Sequence, residues 1–328
     1  MIRFYLTIIK IGSLYDCNMK KDFKNIIELV EYFKTEEICV SFLKSVIWKN
    51  GKKCPHCGSC EIMEYKNYKR NRCKACKKDF SIKQGTIFQD SNIPLKKWFM
   101  AMYIFNAHKK GISSCQLARD ISVSQKTAWF MLQRLRYASK NLSYNGKFSG
   151  TTEIDEAYLG GSETNKHADK KNKVEKTCII GLVNRDKKQV RAYKISSNEK
   201  ENLLPKVYLN CKDKSNIFTD SYNGYDDLRK HYNHEFVKHC AGEYNRDKKD
   251  KDGRTAYKIN TNSIEGFWSQ LKRGIYGVYH WASNKHIQMY VNEFCYRYNN
   301  KAISDIDKFA NWFSRFEGKR LYYKVLVG

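Results

Sequence analysis

The sequence feature that most constrains the fold is a pair of Cys-x-x-Cys motifs separated by 15 residues. CPHC and CKAC place four thiols at Cys54, Cys57, Cys73 and Cys76. Each motif directs two thiolates toward one point, and four thiolates match the tetrahedral coordination of Zn²⁺. The alternatives are unrelated buried thiols or a redox pair, and the repetition of the motif at this separation disfavours both. The spacing predicts a zinc ribbon holding one structural Zn²⁺, because four thiolates leave no open coordination position for catalysis.

The charge of the chain predicts the class of its partner. Among 328 residues, 61 Lys and Arg stand against 34 Asp and Glu, which gives a formal net charge of +27. An excess of this size favours a polyanion, and nucleic acid is the polyanion we expect. The alternative is a solvated basic surface that reflects an A+T-rich genome, but that bias explains Lys over Arg and not Lys over Glu. No apolar run has the length of a membrane span, and paired Cys-x-x-Cys motifs suggest reduced thiols, so we expect a cytoplasmic protein without a membrane partner.

Hydrophobic periodicity and turn residues divide the chain into segments with different predicted secondary structure. The predicted fold class is multidomain α+β, with small N-terminal modules before an α/β domain built on a mixed sheet. The predicted segments are a possible extension from an upstream start codon (1–18), N-terminal helices (19–49), the zinc ribbon (50–90), a helical DNA-binding region (91–141), a linker (142–150) and the α/β domain (151–328).

Residues 111–136 have the pattern of a helix-turn-helix. Leu117 and Ala118 face inward from a short first helix, and Ser124 caps a second helix after a turn. The outward face of that second helix is predicted to show polar and basic side chains suited to base edges and phosphates, namely Gln125, Lys126, Thr127 and Arg134. The alternative is a three-helix packing module that makes no DNA contact. The net charge and the neighbouring ribbon favour DNA.

The α/β domain carries acidic residues inside or at the end of its predicted strands, where a charged side chain is unfavourable unless it binds something. Asp155 lies inside a predicted strand (151–161), and an apolar run from residue 216 ends at Asp220. The predicted order is three strands, helix, strand, helix, strand, helix, and a mixed sheet with its first and fourth strands adjacent would set these acids side by side. Glu265 approaches from the last helix. Three such carboxylates are suited to two Mg²⁺ ions. Lys272 lies on the helix face of Glu265, about 10 Å further along, where it could grip a DNA backbone.

Three local expectations accompany this prediction. Pro205 is expected to shorten the helix that contains it. The basic insert 246–258 is expected to be a lengthened loop before the last helix. Isolated acids are expected to be solvated, and Trp268 and its apolar neighbours to be core contacts; these acids are Glu156, Asp226, Asp227 and Glu243.

Taken in order, the motifs resemble those of a known family. They are CPHCGS, the RCKACKKDFS closure with GTIF, HKKGISSCQLARD, QKTAWFMLQRLR, TEIDEAYLGG, TDSYNGY and NSIEGFWSQLKRGIYGVYHW. Together they resemble bacterial insertion-sequence transposases related to the Merlin superfamily, from residue 19 to the C-terminus. Those proteins pair a zinc ribbon with a ribonuclease-H-like (integrase-like) domain that carries a DDE triad.

The resemblance implies cleavage and strand transfer of the ends of a DNA element. Asp155, Asp220 and Glu265 would be the catalytic triad that holds two Mg²⁺ or Mn²⁺ ions, and Lys272 with Arg273 would contact DNA. Water, and then a DNA 3′-hydroxyl, would attack the phosphodiester in line. The implied partners are double-stranded DNA, as terminal inverted repeats and target, and further copies of the chain in a homodimer or higher oligomer. The implied location is the cytoplasm, at the nucleoid.

Two alternatives stay open from the sequence. Relatives differ in whether the third ligand is Glu or Asn, and Asn262 lies one turn before Glu265, with Asn260 where a His often stands. A non-catalytic DNA-binding regulator would keep the ribbon and the helix-turn-helix, although no acid of the triad is lost. A ribonuclease-H-type nuclease would not need the N-terminal DNA modules.

Overall fold

The structure, a computed structural model, describes residues 23–65, 70–140, 146–160, 176–238, 241–249, 252–253, 255–313 and 318–328. The chain divides into two units. The first comprises the chain up to His108 together with Ser114–Ala138 and Ile303–Gly328, and the second comprises Lys109–Ser113 and Ser139–Ala302. The predicted extension 1–18 and residues 142–145 of the predicted linker lie outside the described residues.

The helices and strands follow in chain order. The α-helices are α1 (Ile26–Tyr32), α2 (Glu36–Ile47), α3 (Leu95–Ala107), α4 (Ser114–Asp120), α5 (Gln125–Ser139), α6 (Lys200–Asn210), α7 (Asn262–Gly274), α8 (Ile287–Asn299), α9 (Asp305–Trp312) and α10 (Tyr323–Val327). The strands are β1 (Ile62–Glu64), β2 (Asn71–Cys73), β3 (Asp79–Phe80), β4 (Thr151–Leu159), β5 (Thr177–Asn184), β6 (Gln189–Ile195), β7 (Asn216–Asp220), β8 (Asn233–Val237), β9 (Arg246–Lys249) and β10 (Thr255–Ile259). In the described part of the chain, no helix has the length and apolarity to cross a lipid bilayer.

Aromatic side chains form the core of the first unit. The ring of Phe99 on α3 meets Phe33 edge-to-face at 4.8 Å, and it meets Phe313, just past α9, at 5.4 Å. The Trp312 indole N–H donates to Asn106 Oδ1 at 2.7 Å. Ile303–Gly328 therefore pack with the N-terminal helices, whereas the sequence prediction extended the α/β domain to residue 328.

The zinc ribbon is a small antiparallel sheet in the order β1-β2-β3. Ile62 pairs with Cys73, and Asn71 pairs with Phe80. This pairing carries the second Cys-x-x-Cys motif back to the first, with Phe80 packed against Cys54 and Cys73. Residues 66–69 of the predicted hairpin lie outside the described residues.

The second unit is built on a five-stranded mixed sheet in the order β6-β5-β4-β7-β8. β4, β5 and β6 pair antiparallel, whereas β4, β7 and β8 pair in parallel. The first and fourth strands of this domain are thus neighbours, as the sequence predicted. The predicted α+β class, with a mixed sheet after an N-terminal cysteine cluster and helices, is confirmed.

Helices cover both faces of this sheet. One face packs Ile154, Ile180 and Leu182 against residues that include Leu203 and Val207 of α6. The other face packs against α7 and α8 through a set that includes Ala157, Leu159, Ile179, Ile264, Phe267, Trp268, Leu271 and Phe294. Because helices lie on both faces, β5 is buried along its whole length.

Two local expectations were wrong. Pro205 lies inside α6 without shortening it, since the helix keeps 11 residues and buries Leu203, Leu204 and Val207. The basic insert, predicted as a loop, forms the antiparallel strands β9 and β10, and Ile259 at its end is buried beside Phe218. The alternation of apolar and polar residues in TAYKI (255–259) indicates a strand, but the preceding run of charged residues favoured a loop in the sequence prediction.

Candidate functional site

The parallel pair β4–β7 brings two acids together. Glu153 pairs with Phe218, and the same register continued by two residues sets Asp155 beside Asp220. The backbone N–H of Tyr222 donates to Asp220 Oδ1 at 3.1 Å, which fixes that carboxylate at the point where β7 ends. In α/β folds, binding sites commonly lie at the carboxyl ends of strands, at the point where the order of strands in the sheet reverses.

Strand β5 and helix α7 also position Asp155. Its partner on β5 is Gly181, where an added Cβ would meet Trp268 at 2.6 Å and Ile264 at 2.7 Å. The absence of that atom lets α7 lie close to the sheet. In that position the Trp268 indole N–H donates to Asp155 Oδ2 at 3.0 Å. The sequence predicted Trp268 as a core contact, which it is, but did not predict this hydrogen bond.

The acids share one electrostatic neighbourhood. Burial, with the charges of Asp220 and Glu265, raises the pKa of the Asp155 carboxyl to about 6, although hydrogen bonds from the Glu156 backbone and from Trp268 act in the opposite direction. The two acids must lie near Asp155 to exert this effect. Negative charge around a partly buried carboxylate is unfavourable without a cation, so these donors suit divalent metal ions, which prefer oxygen ligands.

Glu265 lies in the first turn of α7. Its Oε1 accepts a hydrogen bond from Thr261 Oγ1 at 2.9 Å, and the residue is exposed. Asn262 begins the helix and is exposed as well. Among the described residues, the four cysteines converge to within 4.8 Å as a metal-ligating set, whereas the three acids do not. Lys272 and Arg273 are exposed in the last turn of α7.

Sequence reasoning missed Glu153, which connects β4 to α7. Its carboxylate is fully buried, and its Oε2 accepts the backbone N–H groups of Ser263 at 2.7 Å and Ile264 at 3.0 Å. Its Oε1 accepts from Arg185 Nε at 2.5 Å. Helix N-termini carry unpaired N–H groups and a partial positive charge, so this acid is well placed to hold one. Period-two alternation, which sets Glu153 and Asp155 on one strand face, was the available signal.

Arg185 completes this anchor. Its Nη1 donates to Lys258 O at 2.6 Å, and its Nη2 donates to Asn260 O at 2.9 Å and to Asn260 Oδ1 at 2.5 Å. The guanidinium carbon lies 5.0 Å from the ring centroid of Phe218. The segment that enters α7 is thereby tied to the sheet on both sides of Thr261.

Glu156 was expected to be solvated, and this expectation was wrong. The residue is half-buried, and its Oε1 has no hydrogen-bond partner within the described part of the chain. Burial, together with the charges of Asp155 and Asp220, raises the pKa of its carboxyl to about 9. The strand carries Glu156 between packed elements, and this burial favours the protonated form of its carboxyl.

The four predicted zinc ligands come together in the first unit. Cys54 Sγ and Cys76 Sγ lie 3.8 Å apart, and Cys57 Sγ and Cys73 Sγ lie 3.6 Å apart. A tetrahedral site with Zn–S bonds of about 2.3 Å has sulfurs about 3.8 Å apart, so the geometry fits Zn²⁺. The backbone N–H of Cys76 donates to Cys73 Sγ at 3.5 Å and helps to lower the pKa of that thiol to about 6, which favours the thiolate.

The predicted helix-turn-helix corresponds to α4 and α5. Ser124 Oγ accepts the backbone N–H of Thr127 at 3.2 Å, and Ala128, Leu132 and Leu135 face inward. The buried residues of the first helix are Leu117 and Ala118. These contacts agree with the sequence prediction for the two helices and the cap between them.

The predicted DNA-facing residues differ in exposure. Gln125 and Lys126 are exposed. Arg134 was predicted to face outward, and this was wrong: it is 5% exposed, and its Nη1 donates to Ile87 O at 2.7 Å and Gln89 O at 2.8 Å. Burial lowers the pKa of its guanidinium. Arg134 therefore fastens α5 to the segment after the ribbon. The carbonyl groups of that segment need hydrogen-bond donors, and the guanidinium supplies them.

Comparison with known proteins finds a family match in each part of the chain. Residues 34–79 match the family described as "Transposase zinc-ribbon domain", and residues 147–299 match "ISXO2-like transposase domain". The ribbon match begins before α2, so the family's domain includes a helix that the sequence prediction assigned to the N-terminal segment. The predicted resemblance to insertion-sequence transposases is thereby confirmed.

A curated relative comes from a transposable element. "Uncharacterized protein in transposable element ISH50", from Halobacterium salinarum (strain ATCC 700922 / JCM 11081 / NRC-1), is 27% identical in an alignment of 233 residues that covers 66% of this chain and 78% of the relative. Together with the two domain matches, this relative supports a transposase, and a DDE transposase domain implies nuclease or transposase activity.

Proposed function

We propose that this chain is the DNA transposase of an insertion sequence, which binds the terminal inverted repeats of its element and catalyses magnesium-dependent strand cleavage and strand transfer. The observation that supports this most is the parallel register of β4 and β7, which sets Asp155 beside Asp220, with Glu265 near enough for its charge to act on the Asp155 carboxyl. The domain match over residues 147–299 supports the same class of chemistry.

In this proposal the three acids hold two Mg²⁺ ions, and Mn²⁺ is the alternative metal. Such ions stabilise the negative charge that develops on the phosphodiester and lower the pKa of a nucleophilic oxygen. The protein fixes the ligands beforehand through the bonds from Trp268 to Asp155 and from Thr261 to Glu265. Ligands that are already oriented lose less entropy when metal and DNA bind.

The remaining residues bind and orient DNA in the proposal. Lys272 and Arg273 lie on the helix that carries Glu265, where they contact the backbone phosphates next to the reacting one. Gln125 and Lys126, at the start of α5, contact the terminal repeat. The ribbon, with its single Zn²⁺, shapes the DNA-binding unit. Two or more copies act together at paired element ends, in the cytoplasm at the nucleoid.

A cleavage assay on DNA that spans the boundary between the element and its flank tests this proposal. With the full chain and Mg²⁺, end-labelled duplex should be cut at the boundary, and Asp155→Asn should bind the duplex normally but cut it at least about 1,000-fold more slowly. Asp226→Asn is the matched control, because Asp226 is an exposed acid shortly after Asp220. A chain that binds the repeat but cuts it with neither Mg²⁺ nor Mn²⁺ would instead be a DNA-binding regulator.

A further inference from the structure

A cavity of about 520 Å³ lies in the second unit, beyond the segments that carry the acids. Its walls include the C-terminal end of β4, the last turn of α7 and the π-helical segment Ile275–Tyr279 that follows α7. The side chains that matter for its chemistry are Lys176, Lys272, Tyr276, His280 and Trp281. Its volume lies in the range of about 300–1,000 Å³ that is typical of small-molecule sites.

Exposed aromatic rings give this cavity a stacking surface. Trp281 is 69% exposed and Tyr276 is 46% exposed. Both rings line the same cavity and both are exposed, so their faces are accessible to a ligand there. An aromatic face next to polar groups is suited to a planar, partly polar ligand.

Hydrogen bonds hold the ring of Tyr276 in place, and a tight turn fixes the backbone at Trp281. The Tyr276 hydroxyl donates to Gly160 O at 3.1 Å and accepts from Gly160 N at 3.4 Å, which fixes the ring to the end of β4. His280 has a left-handed backbone with φ of 60°, and the Trp281 N–H donates to Tyr279 O at 2.7 Å. This tight turn fixes the backbone at Trp281, while the indole stays exposed.

The charge of the cavity selects an anion. Lys176 and Lys272 are exposed, and within the described ranges neither makes an ion pair with an acidic side chain. Arg273 is next to Lys272 and is exposed too. Uncompensated cations beside aromatic rings are the combination that binds a nucleotide, in which phosphate and base lie side by side.

The distance to the acids fits the DNA strand that would be cut. Lys272 lies seven residues after Glu265 on one helix, about 10 Å along its axis. Leu159, which also lines the cavity, lies four residues after Asp155 on β4, about 13 Å from it along the strand. At about 3.4 Å per nucleotide along one strand, these lengths correspond to roughly three or four nucleotides.

We propose that this cavity receives one unstacked base of the DNA strand bound at the acids, with Trp281 stacked on the base and Lys176 and Lys272 contacting the adjoining phosphates. The proposal rests on the proposed function and adds a base-binding site to it. Unstacking a base costs free energy, and stacking on an aromatic side chain offsets that cost for any of the four bases. The site therefore holds a distorted element end without reading its sequence.

The experiment measures cleavage of boundary-spanning duplex by Trp281→Ala. The variant should cut intact duplex about tenfold more slowly, the effect expected when one base loses its aromatic partner. A mismatch or an abasic site removes most of the unstacking cost, so at one position within about six nucleotides of the cut it should restore the rate of Trp281→Ala. The intact protein should change by less than about twofold on the same DNA.

Two further variants control for indirect effects. Trp281→Phe keeps an aromatic face and should cut at nearly the normal rate. Tyr244→Ala removes another tyrosine that is 64% exposed and that does not line the cavity, and it should have no effect. If Trp281→Ala cuts at the normal rate, or if it is slow and no mismatched position restores it, the proposal is wrong.

A binding measurement separates failure of this proposal from failure of the proposed function. Without divalent metal, 2-aminopurine at the predicted position should change its fluorescence when the intact protein binds, and should not change with Trp281→Ala. If the protein binds DNA but never cuts it, the proposed function fails, yet a Trp281-dependent signal still supports the base site. The absence of any such position overturns the base site, as does a Trp281→Ala effect confined to self-association.

Discussion

The buried carboxylate of Glu153 accepts the backbone N–H of Ser263 at 2.7 Å, between residues 110 positions apart in the chain. Each of these residues precedes a proposed metal ligand by two positions, since Asp155 follows Glu153 and Glu265 follows Ser263. One hydrogen bond thus sets the spacing between the strand and the helix that carry the acids. Arg185, paired with the same carboxylate, prevents it from turning away.

We predict that Glu153→Gln impairs cleavage more than DNA binding. The change leaves Arg185 without its ionic partner and weakens the hold on α7, so the unfolding free energy should fall by about 3 kcal/mol, as when one partner of a buried pair is removed. Glu265 should shift relative to Asp155, so the Mg²⁺ concentration for half-maximal cleavage should rise several-fold. Titration of the cleavage rate with Mg²⁺ measures this.

Glu235→Gln is the matched control for that prediction. Glu235 pairs with Arg246 and Lys248 nearer the surface, and surface pairs contribute only about 0–1 kcal/mol. It should leave the Mg²⁺ requirement unchanged. A Glu153→Gln protein whose Mg²⁺ requirement equals that of the unaltered chain would show that Glu153 does not position the site.

The zinc site predicts a difference between neighbouring cysteines. Cys73→Ser should abolish zinc binding, because Cys73 belongs to the converging set, whereas Cys60→Ser should keep about one zinc per chain. Elemental analysis of the purified proteins measures the zinc content. Hydrogen exchange should quicken in residues 50–90 of Cys73→Ser and stay unchanged over 176–238. Equal zinc in the two variants would contradict the assignment.

The two basic residues of α5 should behave differently. Lys126→Ala should weaken binding to the terminal repeat without altering stability, because Lys126 is exposed. Arg134→Ala should lower the unfolding temperature, because it removes charged hydrogen bonds to Ile87 and Gln89, each worth about 1.5–3 kcal/mol. Thermal unfolding and gel-shift titration measure the two effects. An Arg134→Ala protein of unchanged stability but poor DNA binding would restore the original prediction for Arg134.

His234 predicts a loss of stability on mild acidification. Its Nε2 contacts Thr219 Oγ1 at 2.9 Å, its Nδ1 is buried without a partner among the described residues, and burial lowers the pKa of the imidazole to about 4. Because the folded pKa lies below the unfolded value of about 6.5, its stabilisation is complete above pH 6.5 and is lost as pH falls toward 4. Between pH 7.5 and 5 the unaltered chain should lose about 1–2 kcal/mol more than His234→Gln in urea unfolding. Parallel pH profiles for the two proteins would contradict this.

The parts of the fold that were predictable have local causes. The Cys-x-x-Cys spacing predicted the ribbon, and helical periodicity with a Ser124 cap predicted α4 and α5. The order of elements predicted the neighbouring positions of β4 and β7, because few mixed sheets suit that order. These features depend on spacing or on period, which a sequence displays directly.

The remaining features depend on partners that are distant in the chain. The helical pattern of α5 alone places Arg134 on the outward face, and only the fold shows that the carbonyl groups of residues 87–89 accept its hydrogen bonds. Glu156 is an ordinary acid until the sheet packs around it. The aromatic residues of Ile303–Gly328 would suit either unit, and only the core around Phe99 decides between them. Long-range contacts of this kind leave no local pattern.

The most direct test of the account is cleavage of boundary-spanning duplex by Glu265→Gln and Asn262→Ala, measured side by side with Mg²⁺. Glu265→Gln removes one negative charge at nearly constant shape, so cleavage should fall by about 1,000-fold or more while repeat binding persists. Asn262→Ala should lose far less, and combining Glu265→Gln with Asp155→Asn should add little, because ligands of one site act as a unit. Normal cleavage by Glu265→Gln together with an inactive Asn262→Ala would contradict the account and assign the third ligand to the amide.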